Sequence, residues 1–276
     1  MIKNITDLKK AENFFLLAGP CVIEGEEMAL RIAEHIVKVT DRLGIPYVFK
    51  GSYRKANRSR LDSFTGIGDE KALKVLEKVR QTFDIPVVTD IHAAQEAEMA
   101  AEYVDVLQIP AFLCRQTDLL QAAARTGKCI NVKKGQFMAP SDMKNVAEKI
   151  SHEGNENIIL TERGVSLGYH NLVVDMRSFP IMREFGYPVV FDATHSVQLP
   201  GGAGTHSSGQ RQFIGNLARA AAGSGIDGVF MEVHDNPEEA LCDGPNMLYL
   251  TQVEGLLRDM MAIKAIADKS ASTAMK

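Results

Sequence analysis

The chain has 276 residues, of which 45% are hydrophobic and 24% charged, and its net charge at pH 7 is −4. This size and composition predict a globular protein with one large α/β domain or two small ones. The negative net charge argues against nucleic acid as the main partner, because duplex binding needs a broad basic face. The sequence has neither a run of eighteen apolar residues nor an N-terminal apolar signal core, so we expect a cytoplasmic protein that does not enter a membrane.

Eight short apolar runs recur along the chain, and their length and flanking residues are typical of buried parallel strands. These runs are Phe14–Ala18, Pro46–Lys50, Ile85–Asp90, Val104–Ile109, Cys129–Lys133, Asn157–Thr161, Pro188–Asp192 and Gly228–Glu232. A segment of helical period follows each run. These segments are Met28–Leu43, Glu70–Phe83, Ala93–Glu102, Thr117–Thr126, Ser141–His152, Leu172–Phe185, Gln210–Gly223 and Tyr249–Asp268. The eightfold alternation predicts an α/β fold, a closed (β/α)8 TIM barrel, with a doubly wound open sheet as the alternative.

No repeat, low-complexity tract or linker divides the chain, which predicts a single domain over residues 1–276 with a frayed tail over 269–276. A barrel of this kind carries its functional residues just after the strands. Seven of the eight predicted strand exits carry an ionisable side chain or a thiol, and the remaining exit carries Gln108. Exposure to solvent could account for a polar residue at one exit, but it accounts less well for such residues at all of them. We therefore place the candidate site at the carboxyl ends of the strands.

The most basic exit is the segment Lys50–Ser59, in which Ser52, Asn57 and Ser59 alternate with four cations. A solvated loop can have this composition, but its position favours binding of a phosphorylated or carboxylated substrate. Across all exits the candidate cations are Lys50, Lys55, Arg58, Lys133 and Arg163, with Lys134 in reserve. Five cations at one end of a barrel would repel one another unless a ligand with several negative charges bound there.

The sequence contains no nucleotide-binding phosphate loop and no dinucleotide fingerprint. The Gly-rich run Gly201–Gly204 instead lies in a long loop after the seventh predicted strand. We expect the surrounding segment, Pro200–Gly209, to be a mobile lid that becomes more ordered when substrates bind.

A second group of exit residues has the chemistry of a metal site. Cys21 follows the first strand, His195 follows the seventh, and Glu232 and Asp243 follow the eighth. Closure of a barrel places strand eight beside strand one, which would make these residues neighbours. Such ligands suit a divalent metal such as Fe²⁺, Mn²⁺ or Zn²⁺, although a small buried cysteine and a hydrogen-bonded wall histidine remain alternatives. The other cysteines, expected as reduced core or wall residues, are Cys114, Cys129 and Cys242.

Four segments resemble the 3-deoxy-D-manno-octulosonate 8-phosphate synthases. They are Lys55–Ser59, Leu113–Leu119, Ile130–Phe137 and Cys242–Pro245, and the resemblance spans about Phe15 to Ile263. It implies a homotetrameric TIM barrel in the cytoplasm. It also implies a transferase that joins phosphoenolpyruvate to D-arabinose 5-phosphate and releases phosphate, for KDO and lipopolysaccharide biosynthesis.

The resemblance also implies roles for individual residues. Those expected to hold phosphoenolpyruvate are Lys55, Lys133 and Arg163, assisted by Lys50, Gln108 and Ala111. Those expected to hold arabinose 5-phosphate are Asn57, Arg58 and Ser59, with Arg115 reaching its phosphate from a neighbouring subunit. Asp90 resembles a wall residue near the sugar hydroxyls, with capping of the next helix as the alternative. The residues expected to take part in catalysis are Lys55, Asn57, Lys133, His195 and Asp243.

The family has metal-dependent and metal-free members, and the metal-free members carry asparagine at the position of Cys21. The chain therefore resembles the metal-dependent type, with Cys21, His195, Glu232 and Asp243 as ligands. The segment Cys242–Pro245 occurs in both types and does not discriminate between them.

Two other functions remain open from the sequence. The 3-deoxy-D-arabino-heptulosonate 7-phosphate synthases share the barrel and phosphoenolpyruvate but have Lys-Pro-Arg-Thr where this chain has Lys55–Ser59, so Asn57 discriminates against them. A non-catalytic sugar-phosphate-binding barrel is the second alternative, because a fold alone does not determine function. The presence of metal-type residues together with the cations argues against a simple binder.

Overall fold

The computed structural model of the chain describes residues 8, 11–58, 60–201 and 208–274, with side chains up to residue 270. Eight parallel strands form one sheet in chain order, and the first strand pairs with both the second and the eighth, which closes a barrel. The strands are β1 Phe15–Gly19, β2 Tyr47–Lys50, β3 Val87–Asp90, β4 Val106–Ile109, β5 Cys129–Lys133, β6 Ile158–Glu162, β7 Val189–Asp192 and β8 Gly228–His234. The predicted (β/α)8 barrel is confirmed.

In the described part of the chain, seven α-helices connect the strands, an eighth follows β8, and all of them cover the outside of the barrel. They are α1 Glu26–Leu43, α2 Asp69–Phe83, α3 Glu96–Tyr103, α4 Thr117–Arg125, α5 Met143–Ser151, α6 Ser178–Arg183, α7 Ile214–Gly223 and α8 Val253–Ala274. No helix in the described part of the chain is both long and apolar enough to span a bilayer.

The ends of α1 show how the local sequence sets a boundary. Glu26 and Glu27 occupy its first turn, where carboxylates stabilise the positive end of the helix dipole. The helix ends at Gly44, whose φ of 65° lies in the left-handed region that glycine adopts without a Cβ clash. Ile32 and Ile36 lie on its buried face.

All predicted helices are found, and two of them differ from the prediction by six residues at one end. The sixth was predicted over Leu172–Phe185, but Leu172–Val173 pairs antiparallel with Val165–Ser166. The helix begins at Ser178, just after a turn in which the Asp175 side chain accepts the Arg177 backbone N–H at 3.0 Å. The last was predicted over Tyr249–Asp268, but Tyr249 pairs with β8 instead. That helix continues to Ala274, because no glycine or proline ends it at Asp268.

The interior of the barrel is filled by side chains that alternate along each strand. The inner apolar set contributes one residue from each strand. Its members are Leu17, Val48, Val88, Val106, Cys129, Ile159, Val190 and Phe230. Phe15 and Leu8 extend the same cluster. The outward residues between them pack against the helices as a separate core.

The inner polar set occupies the next inward position, two residues further along each strand. Its members are Gly19, Lys50, Asp90, Gln108, Asn131, Thr161, Asp192 and Glu232. Glycine is required in β1, because a Cβ on Gly19 would lie 2.0 Å from the carbonyl oxygen of Lys50. The polar set is buried, and four of its members line a cavity at the carboxyl ends of the strands, namely Lys50, Asp90, Gln108 and Glu232.

Candidate active site

A cavity of about 690 Å³ opens at the carboxyl ends of the strands. Most residues predicted for the site line it. These are Lys50, Lys55, Asn57, Arg58, Asp90, Gln108, Ala111, Lys133, Arg163, His195, Glu232 and Asp243. The five predicted cations therefore meet in one cavity, as the sequence indicated.

Lys50 and Glu232 form a buried ion pair at the base of the cavity. The Lys50 Nζ lies 2.8 Å from Glu232 Oε1 and 3.0 Å from the carbonyl oxygen of Cys21, and both side chains are 1% exposed. Burial would lower the pKa of Lys50, but Glu232, Asp90 and Cys21 together outweigh burial and raise that pKa. Burial would likewise raise the pKa of Glu232, but Lys50, His195 and Lys55 hold it well below its usual range. The pair is therefore charged.

A second ion pair joins Lys133 to Asp192. The Lys133 Nζ donates to Asp192 Oδ2 at 2.6 Å and lies 3.5 Å from the centre of the Phe230 ring. The same carboxylate oxygen lies 2.9 Å from His195 Nδ1. Burial would raise the pKa of Asp192, but His195 and Lys133 lower it. Burial also lowers the pKa of Lys133, against the opposing effect of Asp192. A buried carboxylate thus orients both a cation and the histidine.

Arg163 is held by contacts with His195 and Gln198. Its Nη2 donates to the His195 carbonyl oxygen at 3.1 Å and to Gln198 Oε1 at 2.9 Å. Only 3% of Arg163 is exposed, and burial lowers its pKa. A guanidinium fixed in this way has donors left for an anion and loses little side-chain entropy when it binds one.

The loop after β2 carries Lys55, Asn57 and Arg58 to the cavity and is anchored from behind. Glu96 accepts hydrogen bonds from the Tyr53 hydroxyl at 2.6 Å and from Arg54, and both flank the start of the loop. Burial would raise the pKa of Glu96, but these partners and His92 lower it. The anchor therefore includes a carboxylate that stays charged.

The described hydrogen bonds of the Asp90 carboxylate are with side chains and not with the backbone at the start of the next helix. It accepts hydrogen bonds from the Ser52 hydroxyl and the Gln108 amide. The alternative prediction, that Asp90 caps the next helix, is wrong for the described contacts, because Glu96 accepts the His92 N–H at 2.7 Å at that turn. Ser52 is fully buried and reaches the site only through its contacts with Asp90 and Lys50, whose Nζ lies 3.1 Å from its hydroxyl.

The predicted metal ligands also meet. The ligand atoms of His195, Glu232 and Asp243 lie within 4.8 Å of one another, and so do those of Cys21, Cys242 and Asp243. The Cys21 Sγ lies 3.5 Å from Asp243 Oδ2, and the His195 Nε2 lies 3.7 Å from Glu232 Oε2. That Glu232 oxygen is buried and accepts no hydrogen bond from any described residue. A buried carboxylate oxygen without a donor, beside a thiol and an imidazole, fits a divalent cation.

Cys242 is a neighbour that the sequence analysis treated as an ordinary wall residue. The Cys21 thiol donates to Cys242 Sγ at 3.1 Å, and Arg58 Nη1 donates to the same sulfur at 2.5 Å. Burial and Cys242 raise the pKa of Cys21 well above its usual range. Cys21 is therefore a thiol in the absence of a metal, and a bound metal would displace its proton.

Three predicted residues that the structure describes do not line the cavity, namely the buried Cys21 and Ser52 and the exposed Arg115. Ser59 lies outside the described residues, as do residues 202–207 of the predicted lid. The residues that flank 202–207 pair antiparallel, with Gln198–Leu199 against Ser208–Gly209.

Sequence reasoning missed Asp192, Gln136 and Arg211 as site residues. Asp192 stood at a predicted strand exit, two residues after Val190 in the inward register, and that register was the signal for it. Gln136 lines the cavity, and its Oε1 is buried without a partner among the described residues. Arg211 lies three residues before α7, and its Nη2 donates to the Gly244 carbonyl oxygen at 2.6 Å, which no local pattern indicates.

Comparison with known proteins gives a consistent result. Residues 7–268 match the model of the DAHP synthetase I family. The 2-dehydro-3-deoxyphosphooctonate aldolase of Trichlorobacter lovleyi is 60% identical over 91% of this chain and 92% of its own. The proteins of the same name from Geobacter sp. strain M21 and a Synechococcus strain are 61% and 59% identical, over 92% and 94% of this chain and 93% and 92% of their own.

Proposed function

This chain belongs to the DAHP synthetase I family, within it to the 2-dehydro-3-deoxyphosphooctonate aldolases, and we propose the reaction and residue roles that follow. It condenses phosphoenolpyruvate with D-arabinose 5-phosphate and water to 3-deoxy-D-manno-octulosonate 8-phosphate and phosphate. The observation that carries this function is the meeting of five cations, Lys50, Lys55, Arg58, Lys133 and Arg163, in one cavity. Two phosphorylated substrates, one with a carboxylate as well, supply the negative charge that such a cavity needs.

The reaction forms one carbon–carbon bond, and at C2 of phosphoenolpyruvate it forms a carbon–oxygen bond to water and breaks the carbon–oxygen bond to phosphate. The C3 carbon of phosphoenolpyruvate attacks the aldehyde carbon of the sugar, and the aldehyde oxygen takes up a proton. Water adds to C2 of phosphoenolpyruvate, where positive charge develops, and loses a proton. The resulting hemiketal phosphate then expels inorganic phosphate with the electrons of its C2–O bond, which leaves the keto group of the product.

The cations hold phosphoenolpyruvate at the base of the cavity. We assign this role to Lys55, Lys133 and Arg163, assisted by Gln108, because these side chains line the same cavity. Lys133 and Arg163 are fixed by Asp192 and Gln198, so little reorganisation is needed as charge develops. Holding both substrates in line supplies much of the remaining rate enhancement.

The sugar phosphate is assigned to the outer part of the cavity. Asn57 and Arg58 stand on the loop anchored by Glu96, and Asp90 faces the cavity below them. Asn57 belongs to the motif that separates this reaction from the one that uses erythrose 4-phosphate. We count Asn57 among the residues that orient the sugar for attack.

A divalent cation such as Fe²⁺, Mn²⁺ or Zn²⁺, held by Cys21, His195, Glu232 and Asp243, would supply Lewis-acid chemistry toward the aldehyde or the water. The support is the grouping of these four side chains and the unpartnered oxygen of Glu232. Asp192 holds the other nitrogen of His195, at 2.9 Å, in the arrangement that orients histidine ligands toward metals.

We also propose that the enzyme is a cytoplasmic homotetramer in which Arg115 acts on the neighbouring subunit. Arg115 is exposed, and Phe112 and Phe137 near the cavity are each 59% exposed, which favours a subunit contact. The Arg115→Ala variant should raise KM for the sugar phosphate about tenfold and leave KM for phosphoenolpyruvate near wild type, since it removes one charged contact to phosphate. A fully active monomer in solution contradicts this assembly.

Phosphate release from phosphoenolpyruvate tests the function. The protein should release phosphate when arabinose 5-phosphate is added, and neither substrate alone should give any. Erythrose 4-phosphate is the matched control, since preference for it would assign the heptulosonate reaction. Binding of both substrates without phosphate release, with metal present, would instead indicate a sugar-phosphate-binding barrel.

A further inference from the structure

A chain of buried side-chain hydrogen bonds links four neighbouring strands, from β6 to β3, and ends at Ser52 in the loop after β2. The Thr161 hydroxyl donates to Asn131 Oδ1 at 2.7 Å, and Asn131 Nδ2 donates to Gln108 Oε1 at 2.9 Å. Gln108 Nε2 then donates to Asp90 Oδ1, and the Ser52 hydroxyl donates to the other oxygen of Asp90. Thr161, Asn131 and Ser52 are 0% exposed, so water cannot replace these partners. We call Thr161, Asn131, Gln108 and Asp90 the amide chain.

The charge of Asp90 sets the direction of the amide chain. Burial would raise the pKa of Asp90, but Lys50, Lys55 and Lys133 outweigh it and hold the pKa far below its usual range. A charged carboxylate can only accept hydrogen bonds, so Gln108 must turn its NH₂ group toward Asp90. Its carbonyl oxygen then faces Asn131, which must donate. The Asn131 oxygen in turn needs a donor, and Thr161 is that donor.

Gln108 is the member of the amide chain whose amide group can form a hydrogen bond with a ligand in the cavity. It lines the cavity, whereas Asn131 and Thr161 do not. Its NH₂ group has two hydrogens, and Asp90 accepts one of them. In the observed direction the second N–H remains for an anionic oxygen in the cavity. In the reversed direction Gln108 would present its carbonyl oxygen to the anion and to Asp90, and both contacts would be repulsive.

We propose that Asn131 and Thr161 are positioning residues that hold the Gln108 amide with its N–H group toward phosphoenolpyruvate. They act through Gln108 and do not contact a substrate. The inference rests on the proposed function, because it takes phosphoenolpyruvate as the ligand of Gln108. It adds two buried residues, one on β5 and one on β6, to the determinants of phosphoenolpyruvate affinity.

Removal of the Thr161 hydroxyl tests this role. Thr161→Val keeps the shape of the side chain but leaves Asn131 without a donor, and Thr161→Ser is the matched control that keeps the hydroxyl. The valine variant should raise both the Kd and the KM for phosphoenolpyruvate about tenfold, since a buried acceptor loses its donor. KM for arabinose 5-phosphate should stay within about twofold, and the serine variant should restore phosphoenolpyruvate affinity.

A double-mutant cycle with Gln108→Ala separates positioning from general destabilisation. If Thr161 acts through Gln108, adding Thr161→Val to Gln108→Ala should not weaken phosphoenolpyruvate binding further. Additive losses, or equal losses for both substrates, would overturn the proposal. Kd is measured by calorimetry on the unmodified protein and each variant, without turnover. Failure of the unmodified protein to release phosphate would refute the proposed function separately, while the binding cycle would still report on the amide chain.

Discussion

The inner apolar set and the inner polar set come from the same eight strands, two residues apart, yet they have opposite chemistry. On β4, Val106 belongs to the first and Gln108 to the second. On β7 the corresponding residues are Val190 and Asp192. The apolar set stabilises the barrel by removing hydrocarbon from water. The polar set places buried charges that stabilise the protein little in themselves and are maintained by mutual pairing.

Phe230 is the boundary between the two sets. Its ring belongs to the apolar cluster, but the ammonium groups of Lys133 and Lys50 lie 3.5 and 5.5 Å from its centre. The negative face of an aromatic ring stabilises such cations where water is excluded. Along each strand, the side chain that stabilises the barrel and the side chain at the site are therefore two residues apart, and Phe230 contacts both sets.

The largest effect is expected from breaking the Lys133–Asp192 pair. Lys133→Met should lower kcat/KM by about 10²–10³-fold, since it removes a fixed cation that stabilises developing charge. It should also destabilise the fold by about 3–5 kcal/mol, because Asp192 would remain charged and buried. The control is the double variant Lys133→Met with Asp192→Asn. Urea unfolding should show that it regains much of the stability, while the phosphate assay should show no regained activity. Restored activity would argue that Lys133 is only structural.

A second prediction concerns Cys21, which follows Gly19 by two residues. Gly19 is the one member of the polar set without a side chain. Cys21→Ala should lower metal content and reduce activity by about 100-fold or more, because a ligand is lost. Cys21→Asn should retain measurable activity that chelators no longer affect, as metal-free relatives imply. Metal analysis and phosphate release, before and after chelation and metal add-back, compare both variants with the unmodified protein. If the unmodified protein contains no metal and ignores chelators, Cys21 is a wall residue.

The strands and the strand-exit residues could be predicted because both follow local rules. Alternation of apolar runs with helical segments located all eight strands, and the exit rule located Lys133, Arg163 and His195. The sixth helix was overpredicted, since the apolar period of its first half also suits the short antiparallel pair that Leu172–Val173 makes.

The partners within the site could not be predicted from the sequence. Which carboxylate pairs with which cation depends on barrel closure and stagger, so the pairing of Asp192 with Lys133 and the contact of Arg58 with Cys242 emerged only in three dimensions. The amide chain has the same origin. Asn131 and Thr161 lie on neighbouring strands, and only the inward register of each strand brings their side chains together.

The most direct test of this separation compares Val106→Ala with Gln108→Ala, two changes one pleat apart on β4. The measurement is kcat/KM for phosphoenolpyruvate per folded molecule. Val106→Ala should lower the unfolding free energy by about 2 kcal/mol, from lost burial and a cavity. It should leave kcat/KM within about twofold of the unmodified protein, and Gln108→Ala should lower kcat/KM about tenfold through loss of a hydrogen-bond donor. An equal loss of kcat/KM in both variants would contradict the account.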